Sequence, residues 1–149
     1  MGEFGSIEEA REYFARDMFA TGNGMRLDEC DASHAVASMT LDARHRNALG
    51  GVMGGAIFTL ADFAFAALTN DKSRSTVGQQ VSINYLSAPK GKRLVATARY
   101  RRDGRTSCVV NVDVADDTGR EVAQFVGTGY KLRCLSEKSS QGDIKHGLL

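Results

Sequence analysis

Residues 50–68 read GGVMGGAIFTLADFAFAAL, and this stretch decides the fold. Two glycine pairs flank Val52 and Met53, and the residues that follow are apolar except for Thr59 and Asp62. The pattern predicts a helix from about residue 54 to residue 70 that is apolar nearly all round. Such a helix needs a strongly curved sheet around it. A carboxylate inside an apolar helix is costly to desolvate, so Asp62 is the first candidate for a functional residue.

The length and composition of the chain favour one soluble globular domain. With 149 residues, 42% of them hydrophobic, the chain can bury a core without help from metals or crosslinks. The net charge of +1 predicts no general attraction to nucleic acid or to an anionic membrane. Three widely spaced cysteines without a CxxC pair predict reduced thiols, no metal site and a cytoplasmic protein, since no secretory signal opens the chain.

The segment before residue 51 predicts a short N-terminal helix followed by extended chain. Ser6 and Glu9 match a capping box, so a helix should begin there. Its apolar face is expected to carry Ile7, Ala10, Phe14 and Met18. Residues 25–41 then predict two strands or one bent strand.

The segment after the long helix predicts four further strands. The extended runs cover residues 75–87, 93–102, 105–115 and 120–133, with turn residues between them. Alternation is clearest at Val77, Val81, Ile83 and Tyr85, and around Cys108, which we expect in the core. Long strands joined by short turns predict an antiparallel meander. We expect a single domain over residues 1–135 and a disordered tail over 136–149.

The loop over residues 42–53, DARHRNALGGVM, has neither helical nor strand periodicity and is typical of a functional loop before a helix. Asn47 either takes part in function or closes its own turn. The four glycines at 50, 51, 54 and 55 serve tight packing, close substrate approach, or both. We expect His45 to be a solvated loop residue.

The stretch HRNALGGVMGGAIFTLAD, residues 45–62, resembles the Asn-x-x-Gly-x-x-His-Gly-Gly-x-x-x-x-x-x-Asp signature of hot-dog fold thioesterases of the phenylacetic-acid-degradation, PaaI-like type. QQVSINYLSAP, residues 79–89, resembles the strand that follows in that family. The similarity extends over about residues 8–132. It implies an α+β hot-dog fold, in which a curved antiparallel sheet wraps a long central helix, with a short N-terminal helix added.

The resemblance implies catalytic roles for four residues. The family's helical carboxylate falls on Asp62, as nucleophile or as general base for water. Its oxyanion contact falls on the backbone N–H of Gly54 or Gly55, and its loop asparagine on Asn47, which would orient the water or the thioester carbonyl. Asp62 lies roughly 12 Å along the helix from Gly54. The family resolves this separation by dimerisation, so the implied site lies between two subunits.

The sequence departs from the family at Met53, where the signature has histidine. Methionine supplies no useful hydrogen bond, so the role of that imidazole is missing. A polar residue from the next strand is expected to be Thr76, Gln79 or Gln80. Seven basic residues lie within residues 90–105, and they form either a solvated strand face or a site for the phosphates of coenzyme A that includes Arg101 and Arg102.

The resemblance favours an acyl-CoA thioesterase that hydrolyses an aryl- or short- to medium-chain acyl-CoA to the free acid and CoA. Coenzyme A is then part of the substrate, and no other cofactor is expected. The alternative is a non-catalytic acyl-CoA binding or sensing protein, motivated by Met53. A hot-dog dehydratase or hydratase ranks lower because it needs the missing histidine. The implied assembly is a homodimer or a dimer-of-dimers tetramer.

Overall fold

The computed structural model describes residues 4–133, which form three α-helices and six β-strands. The predicted tail, 136–149, lies outside the described residues. In chain order the elements are α1 (Ile7–Phe14), α2 (Met18–Gly22), β1 (Met25–Cys30), β2 (His34–Thr40), α3 (Gly54–Thr69), β3 (Thr76–Tyr85), β4 (Arg93–Asp103), β5 (Ser107–Asp116) and β6 (Glu121–Lys131). The long helix and the strands on either side of it confirm the predicted α+β architecture.

The six strands form one antiparallel sheet in the order β1-β2-β4-β5-β6-β3. The predicted meander is correct for β4, β5 and β6 but wrong for β3, which pairs with β6 at the far edge, while β4 pairs with β2. The turn residues around Pro89 therefore belong to a connection that crosses from one part of the sheet to another. Turn chemistry indicates where a strand ends, but long-range burial decides which strand it joins.

Helix α3 packs its apolar side against the concave face of the sheet and contacts all six strands. Its buried residues include Ile57, Leu60, Ala64 and Leu68. The predicted burial all round is wrong, however, because one stripe faces away from the sheet. The stripe comprises Gly55, Thr59, Asp62 and Ala66, spaced as one face of a helix. Asp62 is accordingly exposed in the single chain.

A β-bulge at Gln79 divides strand β3 into two parts. The register with β6 shifts between Gly78 and Gln80, so Gln79 has no cross-strand partner. Val81 and Ile83 pack against the core, whereas the shift moves Val77 to the opposite face. The prediction that Val77 shares their face is therefore wrong.

The N-terminal helix begins as predicted but ends early. The Ser6 hydroxyl accepts a hydrogen bond from the Glu9 N–H, and the Glu9 carboxylate accepts one from Gly5 instead of from Ser6. The helix stops at Phe14, and the chain turns before starting α2 at Met18. The side chain of Met18 is 77% exposed, so its predicted place on the buried face is wrong.

The crossing connection is tied to the β5–β6 turn by the carboxylate of Asp116, which is itself buried. One oxygen accepts hydrogen bonds from the backbone N–H groups of Lys90 and Gly91. The other accepts from the N–H and hydroxyl of Thr118 and from the N–H of Arg120. The Thr118 hydroxyl, with the backbone donors, holds the pKa of Asp116 well below its usual range.

We expect Asp116→Ala to lower Tm by on the order of 10 °C, because several backbone donors lose their acceptor at once. Because the folded-state pKa is depressed, this stabilisation is present above the ordinary Asp pKa of about 4 and is lost as the pH falls. The Tm difference between wild type and variant should therefore shrink in acid. Calorimetric melting across pH checks this, with Asp113→Ala at an exposed position of β5 as the control. Equal Tm losses in the two variants would contradict the assigned role of Asp116.

Candidate functional site

The start of helix α3 presents two unpaired backbone N–H groups. Met53 is the N-cap residue and makes no capping hydrogen bond with its side chain. Its carbonyl accepts from Ala56 and Ile57, while the N–H groups of Gly54 and Gly55 have no acceptor among residues 4–133. These donors lie at the positive end of the helix dipole. The arrangement can bind and polarise a carbonyl oxygen.

The loop before the helix is closed by Asn47. Its side-chain oxygen accepts from the N–H groups of Leu49 and Gly51, and its own N–H donates to the carbonyl of Gly51. Gly50 has a φ of +81°, a conformation that favours glycine. Asn47 therefore closes its own turn, which was one of the two alternatives. Its side chain remains exposed in the loop that leads into α3.

His45 is a buried anchor of this loop, and the prediction of a solvated residue is wrong. It is only 2% exposed. Its Nδ1 accepts from the Asp42 N–H, its Nε2 donates to the carbonyl of Asn23 at 2.7 Å, and its own carbonyl accepts from the Met53 N–H. The two ring nitrogens thus anchor the loop, and the backbone carbonyl positions the N-cap of α3. Since Asn23 lies 22 positions away in the sequence, the residues around His45 could not reveal its burial.

Tyr85 is a site residue that the sequence did not single out. Its hydroxyl donates to the Gly54 carbonyl at 3.0 Å, and its ring is 52% exposed. A Cβ at Gly54 would lie 3.1 Å from this ring, so the absence of a side chain at position 54 leaves room for Tyr85. The alternation of β3 indicated the face on which Tyr85 lies but not its contact with the helix.

Asp62 lies in a cleft of about 360 Å³ between α2 and the outward stripe of α3. The cleft is also lined by Asp17, Phe19, Thr59 and Phe63. Although Asp62 is exposed, the walls of the cleft partly desolvate its carboxylate, which raises its pKa, and the carboxylate of Asp17 raises it further. Burial likewise raises the pKa of Asp17, partly offset by Arg16. Two carboxylates in one cleft make Asp62 a more basic group than an isolated aspartate.

The single chain does not bring Asp62 to its own helix start. Eight residues of helix separate it from Gly54, roughly 12 Å along the axis. β3 runs antiparallel to α3, since Tyr85 contacts Gly54 at one end while the Thr76 hydroxyl donates to Thr69 at the other. Thr76 is therefore remote from the helix start in the same subunit, and its side chain is buried.

The remaining candidate residues are also separated from the helix start. Gln79 is exposed at the bulge of β3. Arg101 and Arg102 are exposed on the part of β4 that follows Tyr100, whose hydroxyl donates to the carbonyl of Leu68 near the C-terminal end of α3. Within one subunit these side chains lie at the opposite end of the helix from Gly54.

Residues 4–133 contain neither a cluster of metal ligands nor a membrane-spanning helix. No set of histidine, cysteine, aspartate or glutamate side chains in this range is arranged to hold a metal ion. Over the same residues, no helix has both the length and the apolar character needed to cross a membrane. Cys108 is buried in the core, as expected.

Comparison with known proteins identifies relatives of this chain. Residues 14–130 match a family described as Domain of unknown function (DUF4442). The chain is 29% identical over 126 residues to acyl-coenzyme A thioesterase PaaI of Escherichia coli (strain K12), covering 84% of this chain and 90% of that protein. The solved structure of E. coli PaaI superposes with a TM-score of 0.74 at 27% identity, covering 86% of this chain and 97% of that one.

A second solved structure adds a ligand to the comparison. A hypothetical thioesterase of Streptococcus pneumoniae TIGR4, crystallised with coenzyme A, has a TM-score of 0.74 at 28% identity and covers 81% of this chain and 95% of its own. The fold and these similarities define the class of hot-dog fold thioesterases, which are thioester hydrolases. Within that class, the chain belongs to the PaaI-like family.

Proposed function

We propose that this protein is an acyl-CoA thioesterase that hydrolyses an aryl- or short- to medium-chain acyl-CoA at an interface between two subunits. One observation carries the proposal: the unpaired N–H groups of Gly54 and Gly55 and the basic carboxylate of Asp62 are complementary parts of one reaction but are separated within a chain. The relatives named as acyl-CoA thioesterases and the neighbour crystallised with coenzyme A support the substrate class.

The chemistry follows from these two parts. The helix start binds the thioester oxygen and stabilises its negative charge as the carbonyl becomes tetrahedral. The partner's Asp62 either removes a proton from water as it attacks the carbonyl carbon or attacks that carbon itself. The C–S bond then breaks, the thiolate of CoA takes up a proton, and the carboxylic acid leaves. On the direct route, breakage of the C–S bond leaves the acyl group joined to Asp62 as an anhydride, and water must hydrolyse this anhydride before the acid leaves.

Strand β3 offers the surface for such an assembly. It is a ten-residue edge strand of the described sheet, and several of its side chains are exposed. An unpaired edge of this length readily pairs with another strand. Antiparallel pairing of two copies would bring the Thr76–Gln79 end of one β3 to the Tyr85 end of the other, beside its helix start. Gln79, which is exposed at the bulge, then becomes a substrate contact across the interface, whereas the hydroxyl of the buried Thr76 remains bonded to the Thr69 carbonyl.

Arg101 and Arg102 are the proposed contacts for the phosphates of coenzyme A. Both side chains are exposed, as phosphate binding requires. Their position at the far end of α3 means that they also would serve the partner's substrate rather than their own. Asn47 and Met53 complete the proposed site, Asn47 as a polar contact at the helix start and Met53 as an apolar one.

The test is a panel of acyl-CoAs with detection of free thiol, together with light scattering to give the molecular mass. We expect turnover of aryl or short- to medium-chain thioesters and a mass of at least a dimer. Acyl-CoA binding without turnover would favour the alternative of a binding or sensing protein, which the substitution at Met53 motivates. An active monomer would contradict the shared site.

We expect Asp17→Asn to move the acidic limb of the kcat/KM profile to lower pH. As an ionised group, Asp62 loses activity when the pH falls through its raised pKa. Removing the charge of Asp17 removes one of the two causes of that raised pKa, leaving burial alone. The pH–rate profile measures this, with Asp113→Asn as the matched control. A limb that stays in place or moves upward would show that Asp17 does not act on the catalytic base.

A further inference from the structure

Two hollows lie at the start of α3, one beside each of the two glycines. The first, here named the apolar hollow, has a volume of about 290 Å³ and is lined mainly by Phe19, Met25, Met53, Gly55, Ala56 and Thr59. The second, the open hollow, has a volume of about 340 Å³ and is lined by Gly51, Gly54, Tyr85 and the chain from Leu86 to Pro89. A carbonyl bound at the two N–H groups therefore has a space on either side.

We propose that the acyl group of the substrate occupies the apolar hollow and that the pantetheine arm leaves through the open hollow. The proposal rests on the thioesterase function above and adds the orientation of the substrate. Its first support is position: Gly55 lines the apolar hollow and Gly54 the open hollow, so each of the two substituents of the bound carbonyl has a hollow beside it. Its second is chemistry, because Phe19, Met25 and Met53 suit an uncharged hydrocarbon.

The polar residues of the apolar hollow are already engaged with the protein. Both ring nitrogens of His45 are hydrogen-bonded, to Asp42 and Asn23. The guanidinium of Arg44 donates to the Asp42 carboxylate and to the carbonyl of Gly22. Its charge is thus balanced by a neighbouring carboxylate. The hollow consequently suits an apolar acyl group better than the phosphates of coenzyme A.

Met53 acquires a role from this placement. Its side chain is 55% exposed and lines the apolar hollow, with Cε 3.6 Å from where a Cβ of Gly55 would lie. A histidine at this position would place a polar ring in the wall of the hollow. Methionine provides a flexible apolar surface that adapts to different acyl groups. The substitution that departs from the family signature therefore tunes acyl specificity.

The test compares kcat/KM for straight-chain acyl-CoAs from acetyl to decanoyl in two matched variants. Ala56→Leu narrows the apolar hollow. We expect kcat/KM for the longest accepted chains to fall about 10-fold or more relative to kcat/KM for acetyl-CoA. Ala88→Leu narrows the open hollow and should lower kcat/KM to the same extent for every chain length. Ala32→Leu, in an exposed turn outside both hollows, is the control. A uniform loss in Ala56→Leu, or a length-dependent loss in Ala88→Leu, would overturn the orientation.

A second variant covers the case in which Ala56→Leu does not fold. Phe19 is 75% exposed, so Phe19→Ala is expected to preserve the fold while enlarging the apolar hollow, and the preferred chain length should increase. An unchanged preference in Phe19→Ala would count against the proposal. If the wild type hydrolyses no thioester, the proposed function fails, but the same acyl-CoA series measured as Kd by calorimetry still tests the orientation.

Discussion

Asp62→Asn is expected to lower kcat by about 10²–10⁴-fold. Asparagine has nearly the same shape but neither accepts a proton from water nor attacks a thioester, so both mechanisms open to Asp62 are removed. The fold should be unaffected, because Asp62 faces away from the sheet and is exposed in the single chain. Turnover is measured by thiol release, and folding by circular dichroism and Tm.

The control for this substitution is Asp113→Asn, the same chemical change at an exposed position of β5. It should retain wild-type kcat. The KM of the Asp62 variant should change far less than its kcat, since the carboxylate acts on the reacting carbon and not on the CoA moiety. A folded Asp62→Asn protein with wild-type kcat would exclude the proposed mechanism.

Gly54→Pro is expected to lower kcat by about 10²–10³-fold, the usual cost of losing one oxyanion donor. Proline suits the first position of a helix, and Met53 before it already has the extended conformation that proline requires, with φ −65° and ψ 132°. The substitution therefore removes the N–H while preserving the helix. Gly54→Ala is the matched variant, because it adds a Cβ against Tyr85 but retains the N–H. Equal activity in the two variants would contradict a role for the Gly54 N–H.

Mixing the two inactive variants tests whether the site is shared. In a dimer formed from one Asp62→Asn chain and one Gly54→Pro chain, one site carries both defects and the other carries neither. Random pairing of equal amounts would then restore about one quarter of the wild-type sites. Co-refolded mixtures should therefore show activity far above that of either variant alone. No recovery in a mixture shown to contain mixed dimers would place Asp62 and Gly54 of one site in the same subunit.

Much of the fold was predictable because its signals are local. The apolar run that follows Gly54 predicted α3 almost to the residue, and strand alternation with turn residues predicted the strands that follow. The same local patterns misled where distant contacts decide the outcome. His45 looked solvated but is buried against Asn23, and β3 looked like part of a meander but lies at the far edge of the sheet. Desolvation and sheet pairing depend on residues that are remote in sequence.

The sequence by itself determined the long helix, the glycines at its start and the spacing from Asn47 to Asp62, because helix formation and signature spacing are properties of neighbouring residues. Only the tertiary structure decided that Asp62 faces outward, shares a cleft with Asp17 and remains apart from its own helix start. It also placed Tyr85 on the Gly54 carbonyl and opened a hollow on each side of the two glycines. These features arise because the sheet covers one side of α3 and α2 lies against part of the other. Burial of the apolar residues of α3 against the sheet leaves the Asp62 carboxylate on the side that the sheet does not cover.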